Sequence, residues 1–94
     1  SLLRSMLTAQ RNAMREVEDC LQRGAGAEAR RIAHTLKGVA ATLGARELAA
    51  AAQAVERPLA RDPGVAPADL QLLVAAVDGE LAQLLAIIDS PAPR

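Results

Sequence analysis

Residues 33–45 read AHTLKGVAATLGA, a run of helix-forming residues with the chain's single histidine, His34, near its start. On a helical wheel at about 100° per residue, four apolar residues of this region fall within roughly 60° of one another: Ile32, Leu36, Val39 and Leu43. The stripe predicts an amphipathic helix whose apolar side packs on a core. His34 lies about 160° from Leu36 on that wheel, so we expect its imidazole to face solvent.

The composition favours an all-α fold. Phe, Trp and Tyr are absent, and Ala and Leu are abundant, which favours helix over sheet. A chain of 94 residues has room for one domain, which we expect to span residues 1–94. The start at Ser1 and a loose tail over residues 90–94 are compatible with a piece of a longer protein.

The charge balance gives no reason to expect nucleic acid or a membrane as a partner. Eleven basic and eleven acidic side chains cancel, and aromatic residues for stacking on bases are missing. We see no signal sequence and no run of about 20 apolar residues, so we expect a cytoplasmic domain without direct membrane contact. Cys20 has no second cysteine to pair with, and we interpret it as a small packing residue.

Apolar periodicity predicts four helices, at residues 2–22, 27–43, 45–57 and 67–88. Gly44 is placed to close the second helix in a left-handed conformation, Pro58 disfavours extension of the third, and Pro67 suits the first position of the fourth. The expected core of the first helix is Leu3, Leu7, Met14, Val17 and Leu21. Short turns between helices predict an antiparallel up-down four-helix bundle.

The outer face of the second helix is unusual around His34. Gly38 lies one turn after the histidine, and glycine inside a helix costs about 1 kcal/mol relative to alanine. We expect the missing side chain to leave space beside the imidazole, with the ammonium of Lys37 within reach. The rest of this face, which we expect to contact a partner, is Ala27, Arg30, Arg31 and Ala41.

The run RIAHTLKGVAATLGA, residues 31–45, followed by Leu48, by Ala51 or Ala52, and by Glu56, resembles the histidine-containing phosphotransfer (HPt) domain. The resemblance implies that His34 accepts a phosphoryl group from an aspartyl phosphate on a receiver domain and passes it to another receiver. It also implies that Lys37 stabilises the phosphoryl group and that Gly38 gives the receiver access. Members often have a phenylalanine in the first helix, where this chain has Met6 and Leu7. They often carry a polar residue near the histidine on the following helix, for which Glu56 is the candidate, also counted among the partner-binding residues.

The sequence predicts a phosphocarrier rather than a kinase. It has no carboxylate cluster for Mg²⁺ and no Gly-rich nucleotide loop, so we expect no metal or cofactor in this domain and Mg²⁺ on the receiver partner. The expected partners are receiver domains of response regulators or of a hybrid kinase. We expect a monomer as an isolated domain, either free-standing or a cytoplasmic part of a membrane-bound sensor kinase.

Two alternatives remain open at the level of sequence. The dimerisation hairpin of a sensor kinase also presents a histidine on a helix, but it usually has an acidic residue directly after it, where this chain has Thr35. The other alternative is a helical adaptor or oligomerisation module that binds a partner through its Ala/Gly face. In that case His34 would be chemically idle.

Overall fold

The computed structural model describes residues 1–89 and confirms the all-α prediction. This described part contains four helices and no strand: α1 (Leu2–Gln22), α2 (Gly26–Thr42), α3 (Arg46–Arg61) and α4 (Pro67–Asp89). The tail predicted over residues 90–94 lies outside the described residues. Three of the four helices begin and end within one residue of the predicted bounds, and α3 is the exception.

The helices form an elongated bundle of about 50 × 20 × 20 Å. Each helix packs on the helices before and after it, and α4 closes the ring by packing on α1. Within residues 1–89, the diagonal pairs α1–α3 and α2–α4 make no such contact. Short turns between sequential neighbours make those neighbours antiparallel, so the architecture is the predicted up-down bundle.

Two glycines end helices in the same way. Gly24 after α1 and Gly44 after α2 both have φ of 74°, a left-handed conformation that costs a glycine little. After Gly44, the backbone N–H of Ala45 donates to the carbonyl of Ala40 at 2.9 Å, which satisfies an otherwise unpaired group of the last helical turn. The prediction for Gly44 is therefore confirmed.

The predicted end of α3 near Arg57 is wrong, because the helix continues through Pro58 to Arg61. Proline removes one backbone hydrogen bond, but Leu59 is fully buried and holds the last turn on the core. The carbonyl of Pro58 also accepts from the N–H of Asp62 at 2.9 Å. Core packing outweighs the local preference of the proline.

The core side of α2 is rotated relative to the predicted stripe. Only Leu36 of that stripe is fully buried, whereas Ile32, Val39 and Leu43 are half-buried. The other buried residues of α2 are small and lie on the same side of the helix as Leu36: Gly26, Ala29, Ala33 and Ala40. Small side chains let α2 approach its neighbours closely, and the larger residues then lie at the edges of the contact.

Gly26 makes the closest of these approaches. A Cβ atom at this position would overlap the carbonyl oxygen of Pro63 in the loop between α3 and α4.

In α1, Leu3 belongs to the predicted core but is 41% exposed because it lies in the first helical turn, at the end of the bundle. The prediction for Cys20 is confirmed, since this residue is buried in the core.

The expectation of no long apolar run is wrong for α4. This helix of 23 residues has a window with mean hydropathy of 1.6, enough by length and composition alone to cross a membrane. In the bundle it supplies five core residues: Leu70, Val74, Val77, Leu81 and Leu85. Asp78 and Glu80 lie near its middle, where charges would be costly inside a bilayer. In the described residues it packs against α1 and α3 as one of the four helices of the bundle.

Candidate functional site

His34 lies on the solvent side of α2, as predicted. Its side chain is 62% exposed, while its neighbour Ala33 is fully buried in the core. Leu36, on the opposite side of the helix from His34, is also fully buried. Packing of these two residues fixes how α2 is rotated and therefore holds the imidazole at the surface.

A carboxylate from α3 fixes one side of the imidazole. Oε2 of Glu56 lies 2.6 Å from Nδ1 of His34, a short distance typical of a charge-assisted hydrogen bond. Glu56 is the one buried charged residue of the part of the chain that the structure describes, and its side chain is 11% exposed. Glu56 thus holds the Nδ1 side of the ring, and the rest of the ring faces solvent.

The ionisation state of Glu56 determines the tautomer of His34. Burial raises the pKa of Glu56, but hydrogen bonds from Lys37 and His34, together with their charges, outweigh burial and lower the pKa below its ordinary value. An ionised carboxylate only accepts hydrogen bonds, so Nδ1 of His34 must carry the proton. In the neutral ring the lone pair then belongs to Nε2, which has no hydrogen-bond partner within residues 1–89.

Lys37 contacts the other oxygen of the same carboxylate. Its Nζ lies 3.1 Å from Oε1 of Glu56, and its side chain is 32% exposed. One buried carboxylate therefore holds both the imidazole of His34 and the ammonium of Lys37, one turn apart on α2. These two donors, the N–H of the imidazole and the ammonium, explain how a carboxylate is kept ionised at a mostly buried position.

Gly38 is exposed and opens the surface beside the histidine. A Cβ atom placed there would meet no atom of the protein within 4 Å, so no intramolecular contact requires a glycine. Its carbonyl is engaged, since the hydroxyl of Thr42 donates to it at 3.0 Å. The space beside the imidazole predicted from the sequence is therefore present in the fold.

The other residues predicted to contact a partner share this exposed face of α2. Ala27, Arg30, Arg31 and Ala41 are all exposed. Arg31 lies 3.8 Å from Glu28, a long contact between exposed groups that contributes little to stability. Arg30 forms no ion pair within the described residues, so its charge is available to another molecule.

Glu56 is the exception among the predicted partner-binding residues. Sequence reasoning placed it both near the histidine and on the partner-binding surface, and the structure brings it to the histidine. Because it is buried beneath His34 and Lys37, it is not an exposed contact residue. Its position 22 residues after His34 is set by the antiparallel turn between α2 and α3.

A shallow groove beside Lys37 was missed by sequence reasoning. It runs between the second half of α2 and the first half of α3 and is lined mainly by small residues, with two cations and an amide: Lys37, Ala41, Gly44, Arg46, Ala49, Ala50 and Gln53. The spacing of residues 46, 49, 50 and 53 places them on one face of α3, which was a usable signal. The groove extends the open surface from the histidine toward the turn at Gly44.

The family model of the Hpt domain matches residues 1–88, nearly the whole chain. No curated protein and no solved structure matches the chain.

Proposed function

The chain belongs to the Hpt domain family, a family of histidine phosphocarriers in two-component signalling, and we propose that His34 is the residue that carries the phosphoryl group. It is the chain's only histidine, and it lies on the surface with an open nitrogen. The observation that carries the proposal is the 2.6 Å contact between Nδ1 of His34 and Glu56, because it leaves Nε2 as the nucleophile.

The proposed reaction is an in-line exchange between the imidazole and an aspartyl phosphate on a receiver domain. The lone pair of Nε2 attacks phosphorus, an N–P bond forms, and the bond from phosphorus to the aspartate oxygen breaks, which releases the aspartate as a carboxylate. The proton on Nδ1 stays in its hydrogen bond with Glu56. The ring gains positive charge as the N–P bond forms, and the adjacent carboxylate of Glu56 stabilises that charge. The reverse reaction passes the group to a second receiver.

Lys37 has two tasks in this proposal. In the resting protein its ammonium neutralises Glu56, and on the phosphorylated protein it provides donors for the phosphoryl oxygens. An ammonium has three donors, so it reaches a phosphoryl oxygen while keeping one contact to the carboxylate. Gly38 admits the receiver's reacting aspartate, because nothing fills the space one turn after His34.

The partner supplies what this chain lacks for phosphoryl transfer. We propose that Mg²⁺ bound to the receiver neutralises the developing charge, with Arg30 and Arg31 of this chain at the rim of the contact. Because Hpt domains are phosphocarriers, we propose that the phosphoryl group comes from a receiver and not from ATP. We place this exchange in the cytoplasm.

A phosphotransfer assay with His34→Gln tests the proposal. The protein is mixed with a purified receiver that carries a radiolabelled aspartyl phosphate, in the presence of Mg²⁺, and label on each protein is followed over time. We expect acid-labile label on the wild type and none on His34→Gln. Equal labelling of the two proteins, or no labelling of the wild type by a panel of receivers, would contradict the proposal.

The same variant distinguishes the carrier from a plain adaptor. His34→Gln changes an exposed side chain and should leave the bundle intact, which circular dichroism checks. If receiver binding persists while phosphotransfer is lost, the imidazole acts chemically. If a receiver binds both proteins and neither protein is phosphorylated, the domain is an adaptor and His34 is idle.

A further inference from the structure

The outer side of α4 is apolar although it faces solvent. Leu72 is 86% exposed and Ile87 is 70% exposed, which makes them two of the most exposed large hydrophobic residues of the described chain. On a helical wheel they share a strip of roughly 80° with Ala76, Gly79 and Gln83, all of them exposed. We call these five residues the outer strip of α4. Its opposite side already packs in the bundle core, so α4 is apolar on both sides.

Gly79 lies near the middle of the outer strip. A Cβ atom there would meet nothing within 4 Å, so the fold of one chain gives no reason for a glycine. In the middle of a helix this glycine costs about 1 kcal/mol relative to alanine, a residue that α4 uses freely. A close approach by another helix would explain it, because small residues let two helix backbones come together.

The strip is self-complementary in an antiparallel arrangement. If a second α4 crosses with the two-fold axis between residues 79 and 80, Leu72 packs against Ile87 of the second copy and Ala76 against its Gln83. The two large apolar residues are then at the ends of the contact. Near the centre, Ala76 and Gly79 lie opposite the longer polar side chains of Gln83 and Glu80 of the second copy. We propose that this protein self-associates through the outer strips of two α4 helices in a symmetric antiparallel pair.

Charge around the strip fits a second copy of this chain. In the described residues α4 carries Asp69, Asp78, Glu80 and Asp89 and no basic residue. The edge of α1 beside α4 is basic over its first 15 residues: Arg4 contacts Asp89 at 2.9 Å, and Arg11 and Arg15 follow on the same edge after two and three turns. Further along this edge, Glu18 and Asp19 line the groove between α1 and α4 together with Asp78, so the complementarity is confined to Arg11 and Arg15. Arg11 and Arg15 form no ion pair within residues 1–89. They flank the strip and match an approaching helix that carries only carboxylates.

The size of the contact sets the expected strength. Leu72 and Ile87 are about 22 Å apart along the helix, and a contact about 10 Å wide gives roughly 400–500 Å² in total for the two copies. This is well below the roughly 1,200 Å² of a stable interface, so we expect a weak dimer with Kd of about 100 μM or higher. Glu80 lies beside the two-fold axis, and its repulsion with its symmetry mate weakens the pair further. The monomer predicted from the sequence is then the main species only in dilute solution.

Self-association through α4 leaves the phosphotransfer face open. α4 is diagonal to α2 in the ring and does not contact it, so His34 points away from the strip. The inference therefore does not depend on the function proposed for His34. Variants of the strip should transfer phosphoryl groups at the wild-type rate, and His34→Gln should associate as the wild type does.

Sedimentation equilibrium over a range of concentrations up to about 1 mM tests the proposal on the full chain. We expect a monomer–dimer equilibrium for the wild type and at least a tenfold weaker one for Leu72→Gln with Ile87→Gln. The matched control is Leu2→Gln, which removes a similarly exposed leucine from α1 and should change nothing. A wild type that stays monomeric at the highest concentration, or a dimer insensitive to the double variant, would overturn the proposal.

Cysteine cross-linking tests the direction of packing. Gly79→Cys places a thiol next to the two-fold axis, whereas the thiols of Leu72→Cys would be about 22 Å apart in the antiparallel pair, too far for a disulfide. We expect oxidation to link Gly79→Cys into dimers and to leave Leu72→Cys monomeric. Efficient linking of Leu72→Cys would indicate a parallel pair and overturn the proposed arrangement. The native Cys20 is buried and common to both variants.

A membrane is the other occupant that the apolar strip would suit. Flotation with phosphatidylcholine vesicles measures this directly for the wild type and the double variant. We expect no binding, because the carboxylates beside the strip disfavour insertion into a bilayer. Vesicle binding that is lost in the double variant, with a monomer in solution, would overturn self-association in favour of a lipid surface.

Discussion

Replacing Glu56 tests how much the buried carboxylate contributes to transfer. Glu56→Ala removes both the 2.6 Å contact to Nδ1 of His34 and the 3.1 Å contact to Nζ of Lys37. The imidazole is then free to rotate and to exchange its proton between Nδ1 and Nε2, which lowers the fraction of rings with a nucleophilic Nε2. Without Glu56, Lys37 also loses the group that holds it beside the histidine.

The structure sets the expected magnitude. A hydrogen bond to a charged group contributes about 1.5–3 kcal/mol, which corresponds to roughly 10–150-fold in rate. The His34 side chain is 62% exposed, so water replaces part of the lost bond and the effect belongs at the lower end. We expect transfer to slow by about tenfold for Glu56→Ala, and by less for Glu56→Gln, whose amide oxygen still accepts from Nδ1.

Single-turnover transfer from a phosphorylated receiver provides the assay, with receiver binding measured separately. Glu47→Ala is the matched control, because it removes an exposed carboxylate from the same helix. We expect Glu47→Ala to transfer at the wild-type rate. A wild-type rate for Glu56→Ala, with the protein folded and receiver binding intact, would refute the positioning role of Glu56.

Three further predictions concern Glu56 and the glycines. Gly38→Leu should keep the fold but slow phosphoryl transfer at least tenfold, because its side chain fills the docking face. The control Gly79→Leu, on α4, should transfer at the wild-type rate. A wild-type rate for Gly38→Leu would exclude a role for Gly38 in access. Gly26→Ala should lower the free energy of unfolding by about 1–3 kcal/mol in chemical denaturation, because its Cβ would overlap the carbonyl of Pro63. Wild-type stability would show that the loop between α3 and α4 moves aside at no measurable cost. The lowered pKa of Glu56 means that its contribution to stability is complete above its unfolded value near 4.5 and is lost as the pH falls through its folded pKa. The difference in melting temperature between wild type and Glu56→Gln should therefore shrink below about pH 4.5, and a constant difference would contradict this.

The sequence was sufficient for the architecture because its signals were local. Left-handed Gly44, the N-terminal Pro67 and the apolar periodicity each act within a few residues, and the helices follow them. Sequence reasoning failed where contacts between residues far apart in the sequence determine the structure. Pro58 stays helical because Leu59 is buried against other helices, and α2 is rotated because its alanines, not Ile32, fit against its neighbours.

The same difference between local signals and long-range contacts applies to the candidate site. Exposure of His34 and openness at Gly38 follow from the periodicity of one helix, and both were predictable from α2 alone. The contacts of Glu56 with His34 and Lys37 join two helices, and their geometry depends on how α2 and α3 pack. Sequence reasoning selected Glu56 but could not show that it is buried beneath the histidine rather than exposed to a partner.

The central claim is that Nε2 of His34 carries the phosphoryl group while Glu56 holds the proton on Nδ1. Heteronuclear NMR of the phosphorylated, ¹⁵N-labelled protein identifies directly which ring nitrogen is bonded to phosphorus. We predict phosphorus on Nε2 and a proton on Nδ1. Phosphorus on Nδ1, or a phosphorylated protein whose histidine resonances do not change, would contradict the account.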